Sequence, residues 1–78
     1  LDAYPNPSTG LVHISASLAL GNTALIEILG MDGKRCFSQS TNQPSFDHSV
    51  DLSAFGQGLY LIRISSELGS LTKKIFIE

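Results

Sequence analysis

The side chains of this sequence that could do chemistry are few: His13 and His48, the carboxylates Asp47 and Asp51, and a scatter of serines. A serine nucleophile needs a base within hydrogen-bond reach and a third group to orient that base, so these are the types to test first. The context does not support them. No Gly-x-Ser-x-Gly elbow occurs, and no glycine-rich strand-to-helix turn supplies the N–H pair that an oxyanion requires. Asp47, His48 and Asp51 are also ordinary metal ligands. Along a strand, however, Asp47 and Asp51 share one face while His48 takes the other, so only two of them can converge. Asp32 before Gly33 invites a calcium reading, but the EF-hand loop pattern is absent and a tight turn explains the pair. The sequence predicts no catalytic residue, no metal site and no cofactor.

Binding chemistry is equally sparse. A sugar-binding module exposes a flat aromatic platform, whereas this chain has no Trp and its rings are Tyr4, Phe37, Phe46, Phe55, Tyr60 and Phe76, most of them expected in the core. Tyr60 stands just inside a strand after a Gly-containing corner, where a tyrosine packs its ring inward and bonds its hydroxyl to backbone. The formal net charge of −2, from five Lys or Arg against seven Asp or Glu, offers no basic face for a run of phosphates, so no nucleic-acid partner is expected. Cys36 is the only cysteine, which excludes an internal disulfide. No apolar run approaches the roughly 18 residues of a membrane span, so no direct membrane insertion is expected, and the start lacks the pattern of a signal peptide. The chain therefore reads as a piece of a longer protein.

The elements that must position these residues are short strands. Seventy-eight residues suit one domain with a thin core and little material for a deep cleft. Runs of period-two alternation recur about every 10 residues between Gly, Pro, Asn and Ser, the signature of an antiparallel sandwich or barrel. Residues 1–10, with Pro5 and Pro7 forbidding helix, read as an extended lead-in, and 11–78 as the sandwich. The strands expected are Leu11 to Ser17, Ala24 to Leu29 with Glu27 on the wetter face, Lys34 to Ser40, a weaker Phe46 to Leu52, Leu59 to Ser65 at the centre of the core, and Ser70 to Ile77. In the last of these Leu71, Ile75 and Ile77 share a side with Lys73. Gly21-Asn22 turns the chain, and Gly30 to Gly33 suits a type I turn closed by a left-handed residue. Thr41 to Ser45 crosses to the opposing sheet, and Ser53 to Gly58 forms a compact turn with Phe55 tucked inward.

Four of these segments belong together. Tyr4-Pro5-Asn6-Pro7-Ser8-Thr9-Gly10, Met31-Asp32-Gly33-Lys34, Asp51-Leu52-Ser53 leading to Gly58-Leu59-Tyr60-Leu61-Ile62, and the closing Lys74-Ile75-Phe76-Ile77 resemble, in order and spacing, the type A C-terminal sorting domain of cargo exported by the type IX secretion system of certain Gram-negative bacteria. Each motif alone is common, and the joint match covers essentially the whole chain. The acidic Glu78 is the one departure, where such domains often end on a basic or polar residue.

The resemblance implies an Ig-like sandwich of six to seven strands that follows an N-terminal cargo domain in the same precursor and is read by the secretion and sortase machinery. It also implies that the domain guides the cargo through periplasm and outer membrane to the cell surface, or out of the cell, and is cleaved there. The residues it marks as sorting and recognition candidates are Pro5, Asn6, Pro7, Gly10, Gly33, Lys34, Gly58, Tyr60, Lys73, Lys74, Ile75 and Ile77. A physical expectation accompanies it: Ser70 to Glu78 lies at a sheet edge whose unpaired N–H and C=O groups a partner can extend, with Lys73 and Lys74 discouraging indiscriminate pairing. The competing reading is an Ig-like or fibronectin-like accessory module for spacing, adhesion or glycan binding. Exposed edges and Cys36 would also permit a strand-swapped or disulfide-linked homodimer in isolation.

Overall fold

The computed structural model describes residues 1–17 and 23–78, so the turn expected at Gly21-Asn22 lies outside the described residues. Alternating apolar and polar residues make strands nearly everywhere: β1 (Asp2–Tyr4), β2 (Leu11–Ser17), β3 (Ala24–Gly30), β4 (Arg35–Thr41), β5 (Ser45–Asp51), β6 (Gly58–Ser66) and β7 (Gly69–Ile77). Among the described residues one 3₁₀ turn, Ser53–Phe55, interrupts them. The strands form two antiparallel sheets, ordered β1-β2-β5 and β4-β3-β6-β7. Of the sandwich or barrel that the alternation allows, the chain forms the sandwich, the Ig-like one that the resemblance implies.

Strand bounds fall within a residue or so of expectation, because β-branched residues at every second position fix both the element and its buried face. Val12, Ile14 and Ala16 of β2 meet Ile26 and Ile28 of β3, Tyr60, Ile62 and Ile64 of β6, and Ile75 and Ile77 of β7 in one core. Each fully buried isoleucine contributes about 1.5–3 kcal/mol. The segment Thr41 to Ser45 carries the chain between the sheets as expected, since β4 and β5 lie in different ones.

Several expectations need correction. The opening residues are extended, but they are not merely a lead-in: Asp2–Tyr4 pairs with Ser15 to His13 as an edge strand, and Ala3 enters the core. Glu27 does face away from the isoleucines, on the wetter side, but it is only 3% exposed, because β3 is central and arginines from both neighbouring strands lie over it. Phe55 is not tucked inward but 44% exposed, and Tyr4 and Phe76 are likewise exposed, so only Phe46 and Tyr60 of the six rings join the mainly aliphatic buried core. Leu71 shares the inner face of β7 with Ile75 yet stays exposed.

Candidate functional site

The four signature segments converge on one end of the sandwich. Gly30 pairs with Tyr60, Tyr60 with Ile75, and Gly58 with Ile77, which aligns the end of β3, the start of β6 and the end of β7. Leu11 pairs with Asp51 at the corresponding end of the other sheet. Leu1 lies beyond Asp2, whose partner is Ser15, so the chain enters from the opposite end.

Residues 5–10 form a strap that leaves β1 in one sheet, crosses to β7 in the other, and returns to β2. Prolines at 5 and 7 cannot donate, so Asn6 bonds through its side chain. Its Oδ1 accepts the Phe76 N–H at 3.1 Å, and its Nδ2 donates to the Lys74 carbonyl at 3.4 Å. The carboxamide thus stands in for a peptide group alongside β7. Ser8 continues the rung pattern: its N–H donates to the Phe76 carbonyl and its carbonyl accepts the Glu78 N–H, both at 2.8 Å. Its buried hydroxyl donates to the Leu11 carbonyl at 2.7 Å and accepts the Gly10 N–H at 3.1 Å. Gly10 has φ +141°, and a Cβ there would meet Ser53 Cβ at 3.0 Å, so two independent constraints require glycine. The Gly10 carbonyl in turn accepts the Leu52 N–H at 2.8 Å.

The hairpin between β3 and β4 is closed by Gly33 N–H to Gly30 C=O at 3.0 Å and Gly30 N–H to Lys34 C=O at 2.8 Å, with Gly33 left-handed at φ +85°. Asp32 Oδ1 accepts the Lys34 N–H at 2.9 Å. Across from it, the Tyr60 hydroxyl sits 2.9 Å from the Phe55 carbonyl and 2.7 Å from that of Gly56, pinning the corner before β6 as expected. Burial pushes the Tyr60 phenol above its ordinary range, assisted by Cys36 and Asp32, and burial likewise raises the Cys36 thiol. Hairpin and corner flank an open groove of about 350 Å³ that includes Met31, Lys34, Cys36, Phe55 and Leu59. Asp51 Oδ1 accepts the Ser53 N–H at 2.9 Å, a bond that draws its carboxyl below the usual range.

The residues tested for catalysis lie elsewhere. His13 Nδ1 is 3.0 Å from Ser49 Oγ, and its Nε2 pairs with Asp47, all on the outer face of the three-stranded sheet. Neither described groove includes any of the three. His48 is on the other face, stacked 5.7 Å from Phe37. Among the described residues, no three His, Cys, Asp or Glu gather as a metal set.

Many signature residues are therefore occupied with architecture. Asn6 caps an edge, Gly10 permits a close approach, Gly33 closes a turn, Gly58 begins β6, Tyr60 holds a corner, and Ile75 and Ile77 are buried. Lys34, Lys73 and Lys74 have no carboxylate partner among the described residues. Sequence reasoning missed Ser8, which is 1% exposed. Its signal was present, since a serine two residues before a glycine can close a turn on that glycine's N–H.

The strapped sandwich thus carries the four signature segments at one end. A family model described as a secretion system C-terminal sorting domain matches residues 2–78, and the chain belongs to that family. The family is one of type IX sorting signals rather than of enzymes, and it implies export of an attached cargo to the cell surface or beyond. No curated protein matches the chain.

Proposed function

We propose that this domain carries its cargo to the type IX machinery by presenting the end opposite its cargo attachment, and that it is cut away once the cargo has crossed the outer membrane. The observation that supports this most is that signature segments far apart in sequence meet at that end, while Leu1 lies at the other. A cargo joined before Leu1 would leave the signature end unobstructed. Residues there that the fold does not consume, Met31 at 69% exposed and Lys34, which meets no carboxylate among the described residues, are the side chains a reader would touch. Methionine is enriched at protein interfaces, and a nearby charge steers and orients a partner of opposite sign.

The test is a periplasmic reporter carrying residues 1–78 at its C-terminus in a bacterium with an active type IX system. Reporter should appear outside the outer membrane with the domain and remain periplasmic without it. Met31→Glu with Lys34→Glu should retain it, whereas Asn42→Glu with Gln43→Glu, at the opposite end, should not. Export that ignores the domain, or that responds equally to both pairs, contradicts the proposal. Mass spectrometry of the exported reporter should find the domain missing.

A further inference from the structure

Among the described residues, the outer edge of β7 is in use along only half of its length. Phe76 and Glu78 bond to the strap, so the groups of the same parity on Ser70 and Thr72, and the N–H of Lys74, also point away from β6. Among the described residues no strand lies on that side and no backbone partner meets them. Every residue from Gly69 to Lys74 is exposed, including Leu71 at 58%. Lys73 and Lys74 meet no carboxylate among the described residues. A bare edge of this kind accepts an extended segment, as the neighbouring half already does from Asn6 and Ser8.

We infer that Gly69–Lys74 is a docking edge for an extended segment of another protein bearing two adjacent acidic residues. The choice of an export component as that protein rests on the function proposed above. Adjacent acids follow from register: Lys73 and Lys74 point to opposite faces, so each needs its own counter-charge at successive positions of the incoming strand. Leu71 shares the Lys73 face, which places an apolar residue two positions from one acid. The pattern is acid-acid-x-apolar antiparallel to β7, and the reverse in the parallel sense. A second copy fits less well. Twofold pairing about Thr72 would set Lys73 opposite Leu71 and Lys74 opposite Ser70, leaving the lysines of both copies without counter-charges.

The domain, ¹⁵N-labelled, is titrated with the capped peptides Thr-Glu-Glu-Thr-Val-Thr and Thr-Val-Thr-Glu-Glu-Thr, with Lys replacing Glu in the controls. The amides of Ser70, Thr72 and Lys74 should shift, and those of Phe76 and Glu78 should not. Thr72→Pro should abolish the shifts, since the N–H it removes serves no bond to β6. Lys73→Glu with Lys74→Glu should weaken binding by about tenfold at unchanged Tm, and carries the test alone if the proline lowers Tm. Absent shifts, equal shifts with the lysine peptides, or shifts that grow with domain concentration alone overturn the docking edge. In the reporter fusion, export unaffected by the double lysine variant but dependent on the domain overturns the export component as partner. Export independent of the domain instead overturns the sorting function itself.

Discussion

Tyr60 and Glu27 show how single residues hold this thin domain, and only one of them was readable in advance. The glycine corner before Tyr60 announces where its hydroxyl must go, and both nearby carbonyls lie within 3 Å. Tyr60→Phe should cost about 0.5–1.5 kcal/mol in chemical denaturation. The folded phenol holds its proton more tightly than the unfolded one, so its contribution is full below about pH 10 and is lost as pH rises through the folded value. The mutant should lack this alkaline loss. Glu27 alternates with isoleucines and looks solvated, because strand periodicity reports the face but not what neighbours lay over it. Arg63 reaches its Oε1 at 3.0 Å and Arg35 its Oε2 at 3.1 Å, and both guanidinium groups retain access to water. Glu27→Gln should destabilise by about 1–3 kcal/mol, measured by urea unfolding, as charge-assisted bonds to a buried acceptor are weakened.

At the scale of elements, the strands were legible because Val, Ile and Leu alternate with polar residues, and the turns because Gly33 and Pro44 leave few options. The strap was not legible. Its prolines signal only extension, and the identity of the strand it caps is set by a contact spanning 70 residues between Asn6 and Phe76. Asn6→Ala removes both bonds of the carboxamide while leaving Ser8 in place. The Phe76 amide should then exchange with solvent faster by about tenfold or more, roughly 1.4 kcal/mol of lost local protection. Exchange at Ile62, paired on both sides within the four-stranded sheet, should change only as far as global stability does. An unchanged Phe76 would mean that the strap is not what closes this edge.

For the whole molecule, the family's motifs describe a shape more than a string. Prolines, glycines and isoleucines from separate strands are each required to bring one end of the sandwich together, and the exposed lysines acquire positions only once that has happened. The placement of Lys34 at the signature end, and of Lys73 and Lys74 along β7, depends on the same core. Ile14 belongs to none of the signature segments but is fully buried at the middle of β2. Ile14→Asp puts an unpaired carboxylate into that core, which a domain with a total stability of about 5–15 kcal/mol does not withstand. The deciding measurement is the fraction of reporter found outside the outer membrane for the intact fusion and for Ile14→Asp, with equal periplasmic precursor verified by immunoblot. The folded surface as signal predicts export of the first and retention of the second, although every signature residue is still present. Equal export of both would show that the linear motifs suffice and would contradict the account.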